Sequence, residues 1–292
     1  MKKIFVTGSI NTDFVISAPY MPVGGETLTG SGFFTAKGGK GANQAVAASR
    51  LGGNVTMCAC VGDDLFGEET LKSFKEEGID VTHIRTVEGV ATGTAVIVVT
   101  DGENRIILDK GANACLTEKD IDAFLENAKA GDIYLTQLEN PIEVIGYGLK
   151  KAKEKGMFVV LNPAPANVDI RPYLCYCDLI TPNETELEIL GGKQEILNKT
   201  NAKLLVTLGS KGYSIQTQDG ENTYPCIKVK AVDTTAAGDT LSGGLCAKLA
   251  QGESLETAAA FGSKAASIAC TRKGAQPSIP TLEEVENYSD NF

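Results

Sequence analysis

The sequence has no tryptophan and a single histidine, His83, and these gaps remove the support for several kinds of active site. Ser-His-Asp and Cys-His mechanisms would depend on this one residue, and metal sites built from several histidines would lack their ligands. The eight cysteines contain no C-x-x-C pair, so the spacing typical of zinc sites is absent too. We expect free thiols rather than disulfides.

Long apolar runs and excess basic charge are also missing. No stretch approaches the length of a membrane span, and Met1-Lys2-Lys3 leads directly into a strand pattern without the apolar segment of a secretory signal. The 27 Lys and Arg residues against 37 Asp and Glu give a net charge of -10, which argues against a broad nucleic-acid surface. We therefore expect a cytoplasmic protein with no nucleic-acid or membrane partner.

Two common nucleotide-binding motifs do not occur. A P-loop requires Ser or Thr after its Gly-Lys pair, but Lys40 is followed by Gly41. The turn after the first predicted strand, Gly8-Ser9-Ile10-Asn11, lacks the glycine spacing of a dinucleotide-binding fingerprint. An anionic nucleotide would have to be bound by other local donors and a cation.

Strand-like and helix-like segments alternate along the chain, which predicts an α/β fold with a mostly parallel central sheet covered by helices on both faces. Two regions break the alternation: residues 91–113 predict a hairpin turning at Asp101-Gly102-Glu103-Asn104, and residues 14–36 hold further strand-like pieces. The length allows one domain over residues 1–292. The predicted strands are 3–10, 54–62, 132–137, 157–162, 178–181 and 203–208, and the predicted helices are 40–51, 64–78, 117–130, 142–155, 240–250 and 255–270, with a capping box at Thr117 and Asp120.

The segment Asp233-Thr234-Thr235-Ala236-Ala237-Gly238-Asp239 is the strongest local indication of chemistry. Its Ala-Ala-Gly run has almost no side chain and leads into a predicted helix, so free backbone N–H groups and the helix dipole favour an anion there. Asp239 would lie at the mouth of this cradle and could take a proton from an attacking hydroxyl. The alternative is that Asp239 only caps a helix.

A second glycine-rich segment, Gly38 to Ala45, opens a predicted helix and follows closely after Asn11-Thr12-Asp13. Its glycines allow a ligand to approach the backbone, and Asn11, Asp13 and Asn43 offer the mixed donors and acceptors that a polyhydroxylated molecule needs. Ordinary turn residues would be the alternative. If the two segments serve one reaction, they must face each other across one cleft.

Five motifs occur in order along the chain: GGKGANQA (38–45), TPNETE (181–186), VTLGSKG (206–212), DTTAAGDT (233–240) and TRKGAQPSIP (271–280). Together they resemble the ribokinase family of carbohydrate kinases, and the resemblance covers essentially the whole chain. The family implies a three-layer α/β/α fold with a small β-sheet lid, here formed by residues of about 12–37 and 91–113. The chain differs from the family's commonest pattern at Leu241, usually Phe, and at Ser263, often larger, which leaves the nucleotide preference open.

The resemblance assigns a role to individual side chains on the acceptor side. It makes Asp239 the catalytic base, and it implies an anion hole of three successive residues, Ala236, Ala237 and Gly238. The sugar pocket that it implies consists of Asn11, Asp13, Gly39, Lys40, Asn43 and Glu139.

On the donor side the resemblance implies ATP as a substrate together with Mg²⁺ and K⁺. Glu186 would hold magnesium through water, and the residues along the nucleotide would be Asn183, Thr207, Gly209 and Ser263. The potassium ligands, mostly main-chain oxygens, would come from Asp233, Thr235, Ala269, Arg272, Gly274 and Ser278.

Some of these residues have simpler explanations. Glu139 follows a buried strand that ends before Pro141, at the sheet edge where α/β proteins bind ligands, but it could be a solvated loop carboxylate. Asn183 and Glu186 could simply form a helix N-terminus, and Lys40 could be a surface cation.

The family resemblance implies an ATP-dependent sugar kinase acting on the 5-hydroxyl of D-ribose, with a lid that excludes water and pairs with a second subunit in a homodimer. Deoxyribose, fructose, another sugar or a nucleoside remain alternative acceptors, since one or two pocket residues decide which hydroxyls are bound. A non-catalytic sugar or nucleotide sensor is the alternative from a different class.

Overall fold

A computed structural model describes residues 1–101 and 103–289; Gly102, part of the predicted hairpin turn, lies outside the described residues. Thirteen strands lie within these ranges. They are β1 (Lys3–Thr7), β2 (Asn11–Ser17), β3 (Ser31–Gly38), β4 (Asn54–Gly62), β5 (Asp80–Val87), β6 (Gly93–Thr100), β7 (Glu103–Asp109), β8 (Ile133–Thr136), β9 (Phe158–Leu161), β10 (Leu179–Ile180), β11 (Lys203–Thr207), β12 (Tyr213–Gln216) and β13 (Glu221–Tyr224).

Nine α-helices lie within the same described ranges. The predicted capping box is confirmed, because the Thr117 side chain accepts from the Asp120 N–H and the Asp120 side chain from the Thr117 N–H. The helices are α1 (Lys40–Arg50), α2 (Leu65–Glu76), α3 (Glu118–Leu125), α4 (Ile142–Glu154), α5 (Glu184–Ile189), α6 (Gly192–Lys199), α7 (Ala237–Ala250), α8 (Leu255–Ala269) and α9 (Leu282–Asn287).

The central sheet has nine strands in the order β13-β12-β11-β10-β9-β8-β1-β4-β5. The seven strands from β11 to β5 are parallel, whereas β12 and β13 add an antiparallel edge. Successive residues of β1 enter different cores: Ile4 and Val6 pack with α1, α7 and α8, and Phe5 packs with α3 and α4. The predicted mostly parallel sheet with helices on both faces is confirmed.

A second sheet of four strands, in the order β3-β2-β6-β7, stands beside the central one. The first predicted strand was too long: β1 ends at Thr7, and Asn11 already opens β2 of the small sheet. Glycine and serine at positions 8 and 9 interrupt the apolar run between them. Asn11 and Asp13 are therefore strand residues rather than loop residues.

Among the described residues, every helix is too short or too polar to cross a membrane. All eight cysteines fall within the described residues, and each is a free thiol, as expected.

Candidate active site

The two glycine-rich segments meet at the carboxyl edge of the parallel strands. Asn43 of α1 donates from Nδ2 to Oδ2 of Asp239 in the first turn of α7, at 3.0 Å, across 196 positions of sequence. A cleft of about 210 Å³ opens beside this pair. It is lined by Lys40, Asn162, Ala164, Thr181, Asn183, Glu186, Thr207, Thr234, Ala236, Ala237, Gly238, Asp239, Leu241 and Ser242.

Glycines bring α1 close to the connection between β1 and β2. Gly39 has φ 89°, and a side chain there would meet the Asn11 N and Ser9 O atoms at 2.8 Å. A Cβ on Gly41 would lie 2.5 Å from the Gly8 backbone. Because neighbouring backbone occupies the space that a side chain would need at both positions, α1 can begin close to this connection, with Lys40 in the cleft wall.

Asp239 is held in a polar but nearly closed environment, with 5% of its surface exposed. Its Oδ1 atom accepts from Gln44 Nε2 at 2.9 Å, which complements the bond from Asn43 to Oδ2. Burial raises the pKa of Asp239, whereas Lys40, Asn43 and Gln44 oppose that rise. A carboxylate with a raised pKa is a better proton acceptor for an alcohol than an exposed one.

Three predicted sugar-binding residues converge from other elements. Glu139, in the segment between β8 and α4, accepts at Oε2 from Ser9 Oγ and from the Lys40 N–H at 3.1 Å. Burial, with the nearby Glu139 charge, raises the pKa of Asp13 to about 6. The structure thus brings Lys40 and Glu139 together, with Asp13 within range of the Glu139 charge.

Asn11 is oriented by a residue that sequence reasoning did not select. Asn113 Nδ2 donates to Asn11 Oδ1 at 2.8 Å, and Asn113 also bonds the N–H and carbonyl of Ile10 at 2.9 and 3.0 Å. With its oxygen engaged, Asn11 has its amide N–H groups available for a ligand.

The Ala-Ala-Gly run forms the start of α7, three residues earlier than predicted. Ala236 adopts the left-handed conformation with φ 60°, and the Ala237 N–H donates to Thr234 O at 3.2 Å. Within the described part of the chain the Gly238 N–H has no backbone acceptor, and a Cβ on Gly238 would meet nothing within 4 Å. The space in front of this turn is therefore open to an anion.

Asn183 and Glu186 form a reciprocal capping box at the start of α5. The Glu186 N–H donates to Asn183 Oδ1 at 2.8 Å, and the Asn183 N–H donates to Glu186 Oε2 at 2.9 Å. Thr207 bridges to Asn183 at the end of β11, so all three line the cleft. Burial raises the pKa of Glu186. Gly209 and Ser263, by contrast, are not part of the cleft wall among the described residues.

The predicted potassium ligands lie where the segment before α7 meets the turn after α8. Asp233 Oδ1 accepts from the N–H and hydroxyl of Thr235, and Oδ2 accepts from the Gly274 N–H at 2.9 Å. Burial alone would raise the pKa of Asp233, but these bonds together lower it. Ala269 O accepts from the Arg272 N–H in the same turn, while Ser278 follows in a short 3-10 helix. The contacts join Asp233 to Thr235 and to Gly274.

Five polar residues around the site were not predicted: Ser9, Gln44, Asn113, Gln137 and Asn162. They share long-range side-chain contacts rather than a sequence pattern. The available indications were weak: Gln44 lies inside the GGKGANQA segment, and Gln137 and Asn162 are the last residues of two predicted strands.

The chain is similar to known carbohydrate kinases over nearly its whole length. A family model described as pfkB family carbohydrate kinase matches residues 1–282. The chain is 42% identical to a ribokinase from Haemophilus influenzae, with 99% of each chain covered. It is 37% identical to a deoxyribokinase from Salmonella typhi, with 98% of each chain covered.

A solved structure shares the architecture described above. The structure of Arabidopsis thaliana ribokinase complexed with ribose and ATP matches with a TM-score of 0.88 at 30% identity, covering 99% of both chains.

Proposed function

The chain belongs to the pfkB family of carbohydrate kinases, and from this membership we propose that it is a ribokinase, transferring the γ-phosphoryl group of ATP to the 5-hydroxyl of D-ribose. The observation that carries the proposal is the hydrogen bond from Asn43 to Asp239, which joins the sugar-side segment to the phosphate-side segment. The names of the relatives and the ribose and ATP in the matched plant enzyme support the choice of substrates.

In this reaction Asp239 accepts the proton of the 5-hydroxyl as that oxygen attacks the γ-phosphorus and ADP departs. Asp13 and Glu139 would accept hydrogen bonds from other sugar hydroxyls, and Asn11 would donate one. The free N–H of Gly238, at the positive end of α7, would stabilise charge on the transferring group.

The donor set on the phosphate side fits a magnesium ion. Glu186 lines the cleft, and its Oε1 atom has no hydrogen-bond partner among the residues that the structure describes. Those residues include no group of three or more His, Cys, Asp or Glu side chains suited to a metal, so a divalent ion would depend on Glu186, water and the phosphates. When bound, it would offset phosphate charge. Asn183 and Thr207 would lie beside the phosphates, and Gly209 and Ser263 farther along the nucleotide.

We also propose that potassium binds beside the anion hole of Ala236, Ala237 and Gly238. The Asp233 carboxylate is fixed by Thr235 and Gly274, and main-chain oxygens supply the hard donors that such a cation prefers. Arg272 would contribute its carbonyl, since its guanidinium pairs with Glu284; Ala269 and Ser278 complete the set. Exchanging potassium for sodium should lower kcat; equal activity in the two buffers would contradict the assignment.

The acceptor is tested by measuring ADP release across pentoses, hexoses and nucleosides. D-Ribose should give the highest kcat/KM, and 2-deoxyribose should fall by about 10-fold or more because a buried polar group loses its partner. Faster turnover of a hexose or nucleoside would reassign the substrate. No ADP release with any acceptor would favour a sensor.

We further propose that the small sheet is a lid and that its outer face forms a homodimer. Phe14, Val96 and Ile107 share one row across the sheet, on the face opposite Asp13. Val96 is 42% exposed and Ile107 69% exposed, and Phe33 stacks on Phe14 while 61% exposed. An exposed apolar face of this kind indicates a protein interface. We place the protein in the cytoplasm, where free thiols persist.

Ile107→Asp should convert the dimer to a monomer, because an interface cannot bury an unpaired carboxylate without a large cost. Light scattering after size-exclusion chromatography measures the mass. Ile189→Asp, a 55% exposed residue on α5 outside the small sheet, is the matched control and should not change the mass. A monomeric wild-type protein, or an unchanged mass in the Ile107 variant, would count against this interface.

A further inference from the structure

Gln44 is a fully buried residue that contacts the carboxylate of Asp239, and the proposed reaction gives it no role. Its Nε2 atom donates to Asp239 Oδ1 at 2.9 Å and also to Asn162 Oδ1 at 3.0 Å. Gln44 is 0% exposed, whereas Asp239 and Asn43 each retain a small exposed surface. A side chain in that position can act on the substrate only through the cleft residues that it bonds, Asp239 and Asn162.

The orientation of the Gln44 amide is fixed by its partners. Gln137 Nε2 donates to Gln44 Oε1 at 2.6 Å, so the amide oxygen faces a donor and both Nε2 hydrogens face acceptors. A reversed amide would set Gln44 Oε1 against the oxygens of Asp239 and Asn162, which is repulsive. The network therefore permits one arrangement.

The network extends across the carboxyl edge of the central sheet. Gln137 follows β8, Asn162 follows β9, and Asn162 Nδ2 donates to Thr181 O, which follows β10, at 2.9 Å. Two side-chain amides that follow neighbouring strands thus hold Gln44 of α1, one of them bonded in turn to the carbonyl after a third strand, and Gln44 donates to one oxygen of Asp239. Because the strands are buried and paired on both sides, this support is rigid.

The charged groups facing Asp239 come from three other places. Lys40 on α1 favours the ionised carboxylate, Glu139 after β8 disfavours it, and Glu186 on α5 lies close enough to interact with it. Gln44 and Asn43 are neutral, so their hydrogen bonds stabilise the carboxylate without neutralising it.

We propose that Gln44 is a positioning residue for phosphoryl transfer: its Nε2 fixes Oδ1 of Asp239, so that the ionised carboxylate turns toward the acceptor hydroxyl. This inference rests on the proposed function, in which Asp239 is the base. Asn43 fixes Oδ2 in the same way but lies on the sugar side, whereas Gln44 is confined to the supporting network.

Gln44→Met tests the proposal, because methionine fills a similar volume and offers no N–H donor. Loss of one hydrogen bond to the charged form raises the pKa of Asp239, so the acid limb of the kcat–pH profile should move upward by about one to two pH units. At high pH, kcat should recover in part, and KM for ribose should change little. Mere structural damage would lower kcat at every pH without moving the limb.

Gln216→Met is the matched control. Gln216 is also buried and bonded through Nε2, to Ser214 and Glu221, but it lies in β12 away from Asp239. Its acid limb should stay where the wild-type limb is. An unmoved limb in the Gln44 variant, or an equal shift in the Gln216 variant, would overturn the proposal.

Two further variants guard against misfolding and against a wrong premise. In Gln137→Met the contact to Asp239 is unchanged, but the Gln44 amide is free to turn, so a smaller shift of the acid limb in the same direction is expected. If Gln44→Met does not fold, an unmoved limb in Gln137→Met overturns the proposal.

Asp239→Asn in the same assay separates failure of the proposed function from failure of the positioning role. If it retains turnover, both the base and its positioning residue are wrong; if it is inactive while the limb of Gln44→Met is unmoved, only the positioning role fails.

Discussion

Asp239→Asn should lower kcat by about 10²- to 10⁴-fold, the contribution expected of a general base. Asparagine has nearly the same shape and keeps one oxygen to accept from Asn43 or Gln44, although its amide nitrogen then faces the other donor. It cannot accept the proton of the attacking hydroxyl. Equilibrium binding of ribose and of ATP should therefore change little, so that the loss appears in kcat rather than in KM. Single-turnover measurements with saturating ribose would locate the loss in the chemical step.

An equally buried aspartate at the opposite edge of the sheet provides the control. Asp132 is also 5% exposed, and it accepts from the N–H groups of Lys3 and Lys129 before β8 begins. Asp132→Asn should lower thermal stability and leave kcat nearly unchanged. Undiminished turnover in Asp239→Asn, or an equal loss in both variants, would remove Asp239 from the reaction.

Gly41→Ala should lower kcat/KM by about 10²-fold and reduce the melting temperature by several degrees. The added Cβ would lie 2.5 Å from the C and Cα atoms of Gly8 and from the Ser9 N, all of them backbone, so α1 must move away from the connection between β1 and β2. Overpacking of this kind costs about 1–3 kcal/mol in the free energy of unfolding. A displacement of about 1 Å would also misplace Asn43 and Lys40, and such an error can cost 10²-fold in rate.

Gly220→Ala separates this effect from the general effect of replacing glycine. A Cβ on Gly220 would meet nothing within 4 Å, so both the melting temperature and kcat/KM should stay close to wild type. Calorimetry and steady-state kinetics measure the two quantities. Wild-type values in the Gly41 variant would mean that the close approach of α1 to Gly8 is not needed for the site.

The sequence predicted those parts of the fold that depend on local patterns. The continuous apolar segments of β8 and β9 and the capping box of α3 follow from hydrophobic runs and side-chain spacing, and all three occur in the structure. The strands β5, β12 and β13 and the short helices α6 and α9 were not predicted, and the start of α5 was predicted only as the alternative explanation of Asn183 and Glu186. Of these, β5 and β13 carry mixed polar sequences whose pairing depends on a neighbouring strand.

In the candidate site, too, only the residues that belong to a local sequence pattern could be predicted. The Asp239 and Asn43 segments could be selected from their glycine content and their position at helix starts. Gln44 and Asn113 could not, because their partners are 195 and 102 positions away and each contact exists only after the sheet has assembled. Asn183 and Glu186 are an intermediate case. Their spacing of three residues predicts the helix cap, but only the folded structure shows that both residues line the cleft.

Asn113 clamps both backbone groups of Ile10 and the side chain of Asn11, so the small sheet is fastened at the end where Asn11 pairs with Gly93. Its far end, at Ser17 and Val99, has no such fastening among the described residues. Any rotation of this sheet relative to the central sheet would therefore have its axis near the residues proposed to bind the sugar. The end of the sheet at Ser17 and Val99 would move farthest, and the end at Asn11 would move least. Opening of the sheet for product release would therefore leave the contacts to the acceptor almost unchanged.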